Sequence, residues 1–235
     1  MSSTSSKIIL VTGANRGIGF AVAKGLAQKN HQVILTSRRP EDGQEAVEKL
    51  GNPNNLFYHQ LDVDDEESVQ KIHQFVRDKF GRLDGLINNA GINYDTYQNI
   101  VNADLANVLE TITTNLIGPW RMIQTFLPLL RKSKLATITN VSSGLGAWSS
   151  QDGSSPGYNV SKLGLNGLTV AFAQQLAHEN ILINAVSPGW VRTDMGGMDA
   201  TRSPEKGAET IIWAALLEDK RLTGKFFRDK EEISW

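Results

Sequence analysis

The chain has 235 residues, with 24 Lys and Arg against 25 Asp and Glu, a formal charge of -1, 40% apolar residues and 21% charged ones. That balance suits one soluble α/β domain with a sizeable core, and it argues against nucleic acid or an anionic membrane as a partner. Cysteine is absent, which excludes disulfides, thiolate catalysis and Cys-ligated zinc. The histidines (His31, His59, His73, His178) show no metal-ligand spacing, so no metal is expected. Residues 1–6 are polar and low in complexity, and read as a disordered tail ahead of a single domain over 7–235. They lack the apolar stretch of a signal peptide. No apolar run approaches the roughly 18 residues needed to span a bilayer. The expected compartment is the cytoplasm.

Lys7–Thr12 is a β-branched apolar run and reads as a buried parallel strand. Thr12-Gly13-Ala14-Asn15-Arg16-Gly17-Ile18-Gly19 follows directly, then a helical pattern over Phe20–Lys29. Strand, glycine turn and helix together make a phosphate site: Gly13 for the tight turn, Gly17 for close approach, Gly19 for helix–strand packing. The helix N-terminus then offers free N–H groups to a pyrophosphate. Gln32–Ser37 is the second strand. It ends in Thr36-Ser37-Arg38-Arg39, without the carboxylate that grips a ribose 2′-hydroxyl. Arginine at Arg38, with Arg16 as a second cation, suits a 2′-phosphate and so favours NADP(H) over NAD(H).

Glu41–Leu50 reads as an exposed helix and Asn54–Leu61 as the third strand. The acidic run Asp62–Glu67 resembles a metal cluster but fits the first turn of a helix ending near Phe80, capped by Asp64. Gly81–Ile87 carries the fourth strand, closed by Asn88-Asn89-Ala90-Gly91. Asp104–Leu130 is helical, with a kink expected at Gly118-Pro119, just after Asn115. Leu135–Val141 is the fifth strand and delivers Ser142-Ser143 at its carboxyl end, where ligands bind in open α/β sheets. Gly157–His178 is a helix, Ile181–Val186 the sixth strand, 190–204 a mobile flap, Glu205–Leu217 a helix and Gly224–Phe227 an edge strand. Seven strands alternating with helices make a doubly wound, mainly parallel Rossmann sheet.

Tyr158 and Lys162 lie four positions apart on one helix face. An ammonium beside a phenol favours the phenolate, so the Tyr158 pKa is expected to fall. Such a tyrosine exchanges protons near neutral pH. A rival reading takes Gly153-Ser154-Ser155-Pro156-Gly157 as a hydrolase elbow. That motif should leave a strand directly, and here it leaves a polar loop with no acid before the one following histidine, His178.

As a set, Thr12-Gly13-x-x-x-Gly17-Ile18-Gly19, Asn88-Asn89-Ala90-Gly91, Asn115, Ser143, Tyr158-x-x-x-Lys162 and Pro188-Gly189 resemble the short-chain dehydrogenase/reductases over about Lys7 to Phe227. Pro188-Gly189-Trp190-Val191-x-Thr193-Asp194-Met195 and Phe226-Phe227-Arg228-Asp229 are most similar to the carbonyl-reductase branch, which prefers NADPH. The resemblance implies reversible reduction of an aldehyde or ketone. It makes Tyr158 the proton donor, with Lys162 lowering its pKa and holding the nicotinamide ribose. Ser143 steadies the developing alkoxide, in preference to Ser142, and Asn115 holds a relay water. It further implies Asp62 and Val63 at the adenine, and Asn89, Ala90 and Gly91 along the adenosine ribose. Val191 and Thr193 would take the carboxamide. Asn15, Ile18, Pro188 and Gly189 complete the expected cofactor contacts. The known monomeric carbonyl reductases carry a far longer insertion between the Ser143 and Tyr158 positions. Its lack here leaves the helices Asp104–Leu130 and Gly157–His178 to pair in a homodimer or homotetramer. A non-catalytic NADP(H)-binding regulator on the same fold is the alternative. Tyr94, Tyr97, Trp148, Trp190, Met195 and Met198 read either as the lining of an apolar pocket for bulky or aromatic carbonyls or as core and flap packing.

Overall fold

The computed structural model describes residues 6–235; the expected tail lies outside them except for Ser6, whose hydroxyl donates to Asn30 O at 2.9 Å. The strands are β1 (Ile8–Val11), β2 (Gln32–Ser37), β3 (Leu56–Gln60), β4 (Gly85–Asn88), β5 (Ala136–Val141), β6 (Ile181–Val186), β7 (Lys225–Arg228) and β8 (Glu231–Glu232). The helices are α1 (Gly17–Gln28), α2 (Pro40–Lys49), α3 (Glu66–Phe80), α4 (Leu105–Ile112), α5 (Gly118–Leu130), α6 (Pro156–Gln175) and α7 (Pro204–Ala215). The sheet order is β3-β2-β1-β4-β5-β6-β7-β8. All pairings are parallel but the last, in which Phe227 faces Glu232 and Arg228 faces Glu231. The expected seven strands are therefore eight. Two glutamates carry no apolar alternation, and only the tight reversal at Asp229 and Lys230, both at positive φ, returns them to β7.

Each face of the sheet carries its own core. On one, Leu10, Leu86 and Ile138 meet Ile72, Met122 and Phe126; on the other, Ile9, Val11 and Ile87 meet Val22, Leu26 and Ile211. Neighbouring residues of β1 thus feed opposite layers, as the period of two in a strand requires. A side chain as fully enclosed as Phe126 contributes roughly 1.5–3 kcal/mol by leaving water.

The order reverses between β1 and β4, both paired in register through Ile9–Gly85 and Leu10–Leu86. In an open parallel sheet this is where a crevice opens beyond the carboxyl ends of the strands. One local expectation is corrected nearby. The α3 cap is Asp65, accepting from Glu67 N at 2.9 Å. Asp64 instead accepts from the Thr114 hydroxyl. At Gly118-Pro119, where a kink is expected, the helical run changes form, and α5 begins there with Pro119 in its first turn. The irregularity is one π turn, Thr113–Ile117, which holds Asn115.

Candidate active site

The glycine turn leaves β1 with Gly13 at φ +60 and Gly17 at φ +56. A Cβ on Gly13 would stand 3.0 Å from the Ala90 Cα, and one on Gly19 2.5 Å from both Gly13 O and the Asn89 Nδ2. The turn is held from outside: Ala14 N donates to Thr36 O at 2.7 Å, and the Asn89 amide donates to Thr12 O and Gly13 O at 2.9 and 3.0 Å. Thr12 Oγ1 accepts from Asn89 N and Ala90 N. The Asn89 side chain is thereby spent on shaping the turn. No side chain caps α1 at Arg16, so its first-turn N–H groups stay open.

At the end of β2 the two arginines separate. Arg39 forks onto Asp42 at 2.9 and 2.7 Å, away from the crevice. Arg38 is exposed and forms no ion pair among the described residues. Arg16, expected as a second cation, is bonded to Asp194 of the 190–204 segment, and both side chains are largely exposed. Asp62 is half-buried, its Oδ1 accepting from Asp64 N at 3.1 Å, and Val63 O is taken by Arg121.

Beyond β5, Ser142 is buried and donates to Asn166 Oδ1 at 2.7 Å, leaving Ser143 to face the open cleft. That cleft has a volume of ≈ 630 Å³ and is bounded by Ser143, Tyr158, Tyr94, Trp190, Met195 and Arg228, with Ile18, Pro188, Gly189, Val191 and Thr193 along the side toward the glycine turn. Of the expected aromatic and methionine walls, Tyr97, Trp148 and Met198 lie elsewhere, 74%, 75% and 87% exposed. The 190–204 segment is folded on itself: Arg192 N donates to Arg202 O at 2.8 Å and Trp190 Nε1 to Gly196 O at 2.8 Å. Arg202 forks onto Asp229 at 2.7 and 2.9 Å.

Tyr158 rides on the first turn of α6, and sequence reading missed what fixes that turn. Asp95 is fully buried and its carboxylate accepts from Gly157 N at 2.9 Å and Tyr158 N at 3.1 Å. An acid at a helix start was the available signal, hidden because it comes from a loop 62 residues upstream. Ser155, the rival nucleophile, is buried beneath this turn, out of the cleft. The Tyr94 and Tyr158 rings meet edge to face at 5.2 Å.

The Lys162 Nζ lies 5.6 Å from the Tyr158 ring centre and donates to Val141 O at 2.9 Å. Burial lowers the Lys162 pKa to about 8. The expected fall in the Tyr158 pKa is reversed. Burial pushes it to about 12, against the opposing hydrogen bond with Ser143. Desolvation penalises the phenolate more than its neighbours favour it. Asn115 is fully buried, its Oδ1 accepting from Ile92 N at 2.8 Å and its Nδ2 donating to Ile92 O and Ser161 Oγ at 3.0 and 3.1 Å. Both amide hydrogens are thus occupied in fixing the segment after β4. Gly91 lies against this pair: a Cβ would come 3.3 Å from Asn115 Oδ1 and 3.7 Å from Lys162 Nζ.

The family described as short chain dehydrogenase matches residues 7–203. The chain belongs to that family. It is 33% identical to bovine carbonyl reductase [NADPH] 1 over 280 positions, covering 99% of this chain and 100% of the bovine one. It is 36% identical to the short-chain dehydrogenase anuI of Penicillium roqueforti, with both chains fully covered. Among solved structures, the NADPH-bound carbonyl reductase from chicken fatty liver superposes with a TM-score of 0.90 at 30% identity, covering 99% of this chain and 100% of that one. The bovine alignment spans more positions than the 235 residues here, so that relative carries insertions this chain lacks. Among the described residues no helix is long and apolar enough to cross a membrane.

Proposed function

We propose that this short-chain dehydrogenase is an NADPH-dependent carbonyl reductase, reducing an aldehyde or ketone reversibly to the alcohol. The observation that carries the reading is the meeting of Ser143 and Tyr158 in one cleft beyond β5 and β6, with Ile18 of the glycine turn on its border and the buried Lys162 ammonium 5.6 Å from the Tyr158 ring centre. The residues present fit the dinucleotide. Gly13 and Gly19 let the turn close tightly on Ala90, Asn89 and Ala14, where a Cβ would collide, the α1 N-terminus is uncapped, and Arg38 directly follows β2 with no acidic residue next to it in sequence before Glu41. Those donors would hold the pyrophosphate and the 2′-phosphate. NADPH, when bound, supplies the hydride.

The chain's own residues supply the rest. Ser143 offers its hydroxyl to the substrate carbonyl oxygen and stabilises charge as it builds there. Tyr158, held protonated by burial, gives its proton to that oxygen. A phenol with a pKa of about 12 is still acid enough, because an alkoxide is nearly as basic as hydroxide, whose parent water titrates at about 15.7. Lys162, charged at neutral pH, holds the nicotinamide ribose and stabilises the phenolate left behind. Asn115 fixes the segment beside Lys162, along which solvent protons return. Oxidation of an alcohol would begin instead from the phenolate, which burial disfavours. A homodimer or homotetramer is proposed on the exposed apolar side chains of α4 to α6, Leu105, Leu109, Trp120 and Val160. A regulator that only bound the nucleotide would have no use for a desolvated Tyr158–Lys162 pair. The test is NADPH oxidation across aldehydes, ketones and quinones, repeated with NADH. Binding without turnover on the whole panel would refute the reading.

A further inference from the structure

The cleft holds a cation that the proposed chemistry does not use. Arg228 ends β7, and its guanidinium crosses the carboxyl end of β6 to lie on Gly144, so closely that a Cβ there would fall 2.1 Å from Nη2. Gly144 directly follows Ser143, and Ser143, Gly144 and Arg228 all line the cleft. It is half-buried and its contacts are weak: Nε and Nη2 each stand 3.4 Å from Ser187 Oγ. The neighbouring carboxylate is committed elsewhere, because Asp229 is forked onto Arg202. On the paired strand, Glu231 stands opposite Arg228 without forming an ion pair with it, and Glu232 is bonded to Lys225 at 2.8 Å. Among the described residues Arg228 has no ion pair, and no Asp or Glu lines the cleft.

A guanidinium presents five N–H donors in a flat fork that matches a carboxylate. Partly desolvated and unpaired, it loses hydration without compensation until an anion fills the fork. We infer that Arg228 binds a carboxylate of the substrate, so that the preferred carbonyl compounds are α- or β-keto acids. This rests on the carbonyl-reductase reading and names its substrate class. Because the guanidinium packs on the residue that follows Ser143 and shares its cleft, the inferred substrate carries its carbonyl one or two bonds from the acid group. The reaction balances as before. The carbonyl π bond breaks, a C–H bond forms with hydride from NADPH, and an O–H bond forms with the Tyr158 proton. Arg228 makes and breaks no covalent bond, and the product is the hydroxy acid.

The experiment compares kcat/KM, by NADPH absorbance, for benzoylformate against its methyl ester and for acetoacetate against its methyl ester. The wild type is expected to favour each acid over its ester. Arg228→Gln should lower the acid-to-ester ratio about ten- to hundred-fold, chiefly through KM for the acid, whereas Arg228→Lys keeps much of it. NADPH fluorescence reports whether each variant is folded. A wild-type preference for the esters would overturn the inference without any variant, as would a ratio unmoved in Arg228→Gln. Turnover of esters and simple ketones with the acids disfavoured leaves the reductase reading standing and sinks only this one. No NADPH oxidation with acid, ester or simple ketone overturns both.

Discussion

The Lys162 ammonium reaches back from α6 to the Val141 carbonyl at the end of β5, at 2.9 Å. With that one acceptor among the described residues, burial wins and its pKa drops from 10.5 to about 8. Reductive kcat/KM should therefore be level below that pH and fall as pH rises through it, while Tyr158 stays protonated. Lys162→Arg should move this basic limb to higher pH. Stability runs the other way. The unfolded lysine holds its proton up to 10.5 and the folded one only to about 8, so the folded state gains stability as pH rises across that window. The advantage of Lys162→Met over wild type in denaturant titrations should shrink over the same range.

Tyr158→Phe removes the proposed proton donor and leaves the cleft wall in place. Turnover should fall about 10²- to 10⁴-fold, with NADPH affinity, read by fluorescence, nearly unchanged. Retained turnover would leave the proton to some other group.

Arg38→Ala should weaken NADPH by about ten- to hundred-fold, the worth of a charge-assisted hydrogen bond, and leave NADH almost untouched. Arg39→Ala should do neither, because that guanidinium is already held by Asp42. Equal loss for both nucleotides in Arg38→Ala would dismiss the 2′-phosphate contact.

Asp95→Ala strips the acceptors of Gly157 N, Tyr158 N and the Gln98 amide. Leaving buried N–H groups unmatched costs about 1–3 kcal/mol, so the urea midpoint should fall. The rate should fall with it, since Tyr158 stands on the loosened turn. Asp95→Asn keeps one acceptor oxygen and should lose less of both.

Leu105→Glu with Leu109→Glu places charges on the exposed α4 face, where those leucines are 76% and 64% exposed. If copies of the chain pair there, light scattering should show the wild type as a dimer or tetramer and the double variant as a monomer with unchanged melting.

Where the chain repeats a local rule, sequence was enough. β2 and β6 fall on the residues expected, and the glycine turn lies between strand and helix as its spacing implies, because parallel strands are continuous apolar runs. What stayed hidden depends on distance in the fold. Asp95 caps a helix it does not precede. Arg228 reads as an ordinary charge on an edge strand until β7 lies beside β6 and brings it to Gly144. The direction of the Tyr158 pKa could not be read from Lys162 alone, because the enclosing residues desolvate both groups. The π turn at Asn115 left no trace beside the conspicuous Gly118-Pro119 pair.

The bond between Arg202 and Asp229 has a consequence for synthesis on the ribosome. Chains fold from their N-terminal side as they emerge, so β1 to β4 and the glycine turn are out long before β7. The nucleotide cradle can form on a nascent chain, but the wall bearing Arg228, and the anchor that Asp229 gives the preceding segment, come only with the final strands. Selectivity among substrates is then the last property the growing polypeptide acquires.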